Sequence, residues 1–160
     1  LPTTVSEEGA FEVELTEPAE DDLYPDFFCD MDVFTAYMTL AGTSTSSSPL
    51  ESEAVTGIIA QTSLETLYEA TEGDVVVAAI YFDRDIDVSC DDFGLVYDID
   101  AKKGWNTVIQ TVTRVYDDGF VDVEIATGPA PTDVPWTFFS IEEIIGGNQL
   151  SAMTARLLKR

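Results

Sequence analysis

The chain has 160 residues, of which 31 are acidic and 7 basic, with no histidine and two cysteines, giving a net charge of -24 at pH 7. Apolar residues make up 45%, enough for one core and one domain, which sets wholesale disorder aside. So negative a surface repels nucleic-acid backbones and anionic lipid, and the missing histidine removes Cys/His zinc sites and any histidine base.

Residues 1–9 are polar and are expected to form a flexible N-terminal segment. From Ala10 to Thr16 the chain alternates, with Phe11, Val13 and Leu15 on one side and Glu12, Glu14 and Thr16 on the other. That predicts a strand with one wet face. Glu17 to Asp32 reads as a long acidic connection through Pro18 and Pro25, with Leu23, Tyr24, Phe27 and Phe28 as anchors and Cys29 near its end. Val33 to Ala41 alternates again: Phe34, Ala36, Met38 and Leu40 against Thr35, Tyr37 and Thr39. Gly42 to Pro49 is rich in Ser and Thr and predicts an exposed loop. Ala54 to Ala60 is a short apolar strand. Ser63 to Glu72 fits a helix through Leu64, Leu67 and Tyr68, or a strand through Leu64, Thr66, Tyr68 and Ala70; the context favours strand or loop.

After a turn at Gly73-Asp74, Val75 to Phe82 is continuously apolar, as in a strand covered on both faces. Asp83 to Cys90 alternates, Ile86, Val88 and Cys90 opposing Asp85, Asp87 and Ser89. Turns at Asp91–Gly94 and Lys102-Lys103-Gly104 bound a strand from Leu95 to Ile99. Trp105 to Tyr116 has a long two-residue period, with Thr107, Ile109, Thr111, Thr113 and Val115 on the side of Trp105. Asp117-Asp118-Gly119 is a hairpin signal, and Phe120 to Thr127 pairs back. Gly128 to Pro135 closes that hairpin, and Trp136 to Ile141 is a last strand. Asn148 to Arg160 places Leu150, Met153, Leu157 and Leu158 at helical spacing, with Arg156, Lys159 and Arg160 where the helix dipole favours cations. Residues 142–160 are therefore expected to form a short C-terminal helical tail that docks on the acidic body or binds another molecule. The pattern predicts an all-β fold over residues 10–141, an antiparallel β-sandwich of immunoglobulin-like or jelly-roll-like kind, with an open barrel as the alternative.

Cys29 and Cys90 are an even count at wide spacing, which fits one disulfide in an exported protein. A bridge closing about 60 residues contributes on the order of 4 kcal/mol; two separate buried thiols are the alternative. The chain opens at Leu1-Pro2 and not at a methionine, and it contains no signal peptide and no long apolar segment, so no transmembrane span is expected. This reads as a processed or trimmed chain, and a lost leader accords with the bridge. The acids are unevenly placed, since residues 1–83 hold 18 of them and no base. Such a surface suits cations, a basic partner or a salty medium, although simple solvation explains most charge runs.

At Lys102-Lys103-Gly104-Trp105-Asn106 the chain resembles a group of uncharacterised bacterial secreted proteins and lipoproteins. The shared pieces come in order: Gly9, Phe11 and Leu15; Pro18, Leu23 and Cys29; Tyr81, Asp83 and Cys90; the Lys-Gly-Trp-Asn strand; and Trp136. The likeness spans roughly residues 9 to 136 and departs in the extreme acidity and in the tail. It implies export, a β fold and a disulfide, and no activity.

Asp83, Asp85, Asp87 and Asp91 supply alternating oxygen ligands of the kind calcium takes, with Asp98 and Asp100 close by in sequence. Val88 stands where an EF-hand needs glycine and Gly94 where it needs a bidentate glutamate, so any calcium site would be of another type. Outward carboxylates on a strand are the plainer account. Trp105 and Trp136, with Tyr97 and Tyr116, could form an aromatic platform for sugars, but aromatics in a small sandwich usually serve the core. Among 31 acids some pair always suits a glycosidase, so that signal says nothing, and Gly146-Gly147 is no phosphate loop. The expectation is an exported, non-catalytic domain with a structural or interaction role at the cell envelope, its partner unidentified. The alternative is a calcium-dependent or carbohydrate-binding adhesion module.

Overall fold

The computed structural model describes residues 2–4, 11–29, 31–38, 40–45, 54–65 and 69–140. Their regular structure is eleven strands and one 3-10 turn at Glu20–Asp22. The strands are β1 (Pro2–Thr4), β2 (Tyr24–Phe28), β3 (Met31–Tyr37), β4 (Leu40–Thr45), β5 (Ala54–Thr62), β6 (Val75–Phe82), β7 (Ile86–Asp92), β8 (Leu95–Ala101), β9 (Gly104–Val115), β10 (Val121–Thr127) and β11 (Trp136–Ser140). They form one sheet in the order β1-β4-β5-β6-β9-β10-β8-β7, with β11 attached to β5 and the β2–β3 hairpin to β6.

The all-β expectation holds, but the pairing is mixed, not purely antiparallel. β1 is parallel to β4, and β10 is parallel to β8. The second case follows from the Asp117-Asp118-Gly119 turn, which returns β10 directly onto β9. β10 thereby takes the position beside β9, and β8, although next to β9 in sequence, pairs with the far edge of β10.

β6 is the branch point. One edge pairs along its whole length with β9. The other is shared: Val76 and Val77 pair with β5, and Ile80 to Phe82 pair with β3. The single strand expected from Val33 to Ala41 is divided for this reason. The Met38 N–H donates to the Ala79 carbonyl at 3.1 Å, after which the chain leaves β6 and continues as β4 along β5. Gly57 of β5 lies so close to the Phe139 backbone and the Phe138 ring of β11 that a Cβ there would collide with both. The buried Gln61 amide donates to the carbonyls of Pro131 (2.9 Å) and Val134 (3.1 Å), fixing the proline-rich link that delivers β11.

Other expectations are met in part. Pro2–Thr4, inside the segment read as flexible, pairs with β4. Residues 11–14 keep their alternation of exposure, but Leu15, expected on the sheltered side, is exposed like Thr16, and residues 11–19 join no ladder. The acidic connection contains β2, whose Pro25 is tolerated because β2 is an edge strand, paired among the described residues with β3 alone. Of its expected anchors, Phe28 is buried, Leu23 half-buried and Tyr24 exposed; the Phe27 side chain lies outside the described residues. β4 extends through Thr45 into the stretch read as loop. Ser63–Glu65 and Glu69–Glu72 are loop, one of the two forms the context favoured, and the expected C-terminal helix lies outside the described residues.

The core explains the curl of the sheet. Phe28, Val33, Ile80, Phe82, Ile86, Val88, Tyr97, Ile99, Ala101 and Val108 form one buried cluster, drawn from strands at both ends of the path β2-β3-β6-β9-β10-β8-β7. A flat sheet would hold β3 and β7 far apart, so the shared cluster requires the sheet to fold over. Cys29, just after β2, and Cys90, in β7, both pack on this cluster at disulfide distance, their Cα atoms 6.7 Å apart. The buried side of β9 is Val108, Gln110 and Val112, opposite the half-buried side that carries Trp105.

Candidate functional site

Residues 11–19 act as a strap across the sheet, held by side chains. Phe11 meets Trp136 edge-on at 5.0 Å. Trp105 Nε1–H donates to the Thr16 carbonyl at 2.8 Å, and the Tyr81 hydroxyl donates to Glu17 Oε1 at 2.6 Å. Trp105 also packs edge-to-face on Tyr81, 5.7 Å between centroids. The two tryptophans expected to present an aromatic platform therefore seat this strap. Their expected companions lie elsewhere. Tyr97 is buried against Phe28, and Tyr116 lies under the Arg114 guanidinium and donates its hydroxyl to Asp122 at 2.9 Å.

Where the strap ends, a cleft of about 350 Å³ is lined by Glu17, Pro18, Asp22, Tyr24, Tyr37 and Trp105, among others. Tyr37 donates its hydroxyl to Asp26, and the buried Thr35 hydroxyl donates to the same carboxylate at 3.4 Å. Aromatic faces beside carboxylates suit a cationic or polyhydroxylated group. This cleft is not legible in the sequence, because its walls come from the strap, the 3-10 turn, β2, β3 and β9. The one available signal was Glu17-Pro18, where proline ends the strand pattern.

Of the four aspartates read as calcium ligands, Asp83 and Asp85 have hydrogen-bond partners and Asp87 and Asp91 are exposed on β7. Asp83 accepts Arg84 Nη2 at 2.7 Å and the Phe34 N–H at 3.1 Å, and the Arg84 hydrogen bond holds its carboxyl below the usual range. Asp85 accepts the Lys103 N–H at 2.8 Å. Asp87 is exposed directly opposite Asp100 on β8, and Asp91 is exposed further along β7. Facing like charges repel, and Lys102 relieves them: its Nζ lies 3.3 Å from Asp100 and 3.7 Å from Asp85, which raises its pKa. Among the described residues no three or more Cys, Asp or Glu side chains are grouped to hold a metal ion.

Ionising Tyr81 should loosen the strap. Its hydroxyl is held above the ordinary tyrosine value, first by the hydrogen bond to Glu17 and then by burial. A raised folded-state pKa means that the contribution is complete below the unfolded value near pH 10 and is lost as pH rises through the higher folded value. Glu17→Ala should therefore bring Tyr81 ionisation down toward that of free tyrosine, read as tyrosinate difference absorbance. An unchanged titration would show that the contact is absent in solution.

Comparisons with protein families, with curated proteins and with solved structures give no match.

Proposed function

We propose that this chain is an exported, non-catalytic all-β domain that acts by contact, in a structural or interaction role at the cell envelope. The observation that carries the proposal is the pair Cys29 and Cys90, 6.7 Å apart at Cα and joining the two ends of the curled path. Paired cysteines of this kind persist in oxidising compartments. The acidic surface agrees, since a net charge of -24 keeps the chain off nucleic acid and anionic lipid. The likeness to secreted bacterial β domains also agrees, and its Gly-Trp-Asn residues have a physical use. The Asn106 amide accepts the Lys102 N–H at 3.0 Å and donates to the Lys102 and Gly104 carbonyls, closing the turn into β9, while Trp105 seats the strap. On this view the curled sheet is a sandwich whose two layers share the Phe82 cluster and whose open side is crossed by the bridge; the membership of that cluster supports it.

Labelling in intact source cells tests the proposal. A membrane-impermeant maleimide should label both cysteines only after reduction. Failure to label before lysis, with or without reductant, would place the chain inside the cell and overturn the assignment.

A further inference from the structure

Two hairpin tips leave the same end of the sheet. β7 and β8 turn through Phe93 and Gly94, between the paired Asp92 and Leu95. β9 and β10 turn through Tyr116–Phe120, where the Tyr116 N–H donates to the Phe120 carbonyl at 2.9 Å. Because β10 runs parallel to β8, with Val123 opposite Leu95, the two tips lie side by side. The Val123 N–H donates to the Gly94 carbonyl at 2.8 Å, and the Gly94 α-carbon sits against the Asp122 carboxylate.

Phe93 is out of place by two independent measures. Its φ is +49° and that of Gly94 is +81°, the pattern of a type I′ turn, which favours Asn-Gly and strains a phenylalanine. Its side chain is also fully exposed, at 103%, so it buries nothing in return. A strained residue that the fold does not use points to a role outside the fold. The neighbouring tip repeats the feature, with Phe120 at 68% exposure. Val96, Val115 and Tyr116 are exposed at this end as well, so five of the ten large apolar side chains exposed among the described residues gather here.

The surroundings decide among occupants. Asp91, Asp92, Asp117, Asp118 and Asp122 lie on or beside the two tips, and Arg114 is turned onto the Tyr116 ring at 4.9 Å. A second copy would press two acidic rims together, and anionic lipid would be repelled. A zwitterionic bilayer would take the rings only by dragging the carboxylates against its headgroups. The complementary surface is an apolar pocket rimmed by lysine and arginine.

We propose that the Phe93 and Phe120 tips are a docking surface for a basic protein partner, with Phe93 as the anchor. This rests on the contact role proposed above but not on export, so the labelling experiment and the test below fail independently.

The test uses a fluorescent peptide of alternating leucine and lysine, titrated into the parent chain, Phe93→Asn/Phe120→Ser and Phe34→Ser, all of equal charge. The tip variant should lose about tenfold in affinity and Phe34→Ser none. Phe93→Asn alone should melt at the parent temperature or above it, because asparagine suits the turn. Equal affinity for all three chains would reduce the contact to charge alone and overturn the proposal. So would a lower melting temperature for Phe93→Asn, which would return Phe93 to the fold. Tip-dependent flotation with zwitterionic vesicles, or a dimer abolished by the tip substitutions, would also overturn it in favour of lipid or self-association.

Discussion

Replacing Cys29 and Cys90 together by serine should lower the unfolding free energy by about 4 kcal/mol, on the order of 10 °C in Tm. The figure comes from the 61-residue separation of the two cysteines, whose closure removes entropy from the unfolded chain. Where the bridge lies also matters. Among the described residues β2 is an edge strand paired with β3 alone, and β3 pairs with β6 through three residues. The hairpin therefore depends on the bridge and on the Phe28 ring for its place over β7. Serine preserves size, and the positive φ of Cys29, +59°, is as unfavourable to serine as to cysteine, so the loss reports the bridge itself. Urea unfolding provides the check: the midpoint should fall and the m value rise, because the unbridged chain expands further on unfolding. Equal midpoints in the presence and absence of both sulfurs would mean that no bridge forms.

How far the sequence foretold this fold depends on where each pattern finds its partner. Val75 to Phe82 was legible because a short, β-branched apolar run after a Gly-Asp turn favours a strand covered on both faces, and β6 is nowhere exposed. The hairpin at Asp117-Asp118-Gly119 was legible because its turn chemistry is local. Residues 11–16 show the limit. Their alternation is that of a strand, but exposure follows it only as far as Glu14, because β-structure also needs a free edge in register, which periodicity does not encode. The division of β3 from β4 has the same origin, since it depends on how β3 and β5 share one edge of β6. The cysteine pairing was accessible from count and spacing. The cleft was not, because Glu17, Asp22, Tyr24, Tyr37 and Trp105 meet only through tertiary folding. Phe93 and Phe120 escaped notice for the opposite reason: in a sequence a phenylalanine beside a turn reads as core, and only the backbone conformation and exposure reveal otherwise.

Phe82→Ala should cost about 3–5 kcal/mol, the range for deleting a wholly buried ring. Phe82 is 0% exposed at the end of β6, opposite Thr35 of β3 and Gly104 of β9. Its ring lies 6.0 Å from that of Phe28 and within the cluster that includes Ile86 and Val88 of β7. One side chain thus belongs to the cluster shared by both ends of the curled path, and little can collapse into the space it leaves while the Cys29–Cys90 bridge holds β2 and β7 in position. A loss below about 1 kcal/mol would show that the two ends do not share a core. Combining Phe82→Ala with the double serine substitution extends the test. If the bridge acts only on the unfolded chain, the two losses add. If it also presses Phe28 onto Phe82 in the folded state, removing both costs less than the sum by about 1 kcal/mol, a coupling of ordinary size for residues in contact. The folded arrangement favours the shortfall, because Phe28 directly precedes Cys29 and is the buried aromatic of β2 through which the hairpin meets β6.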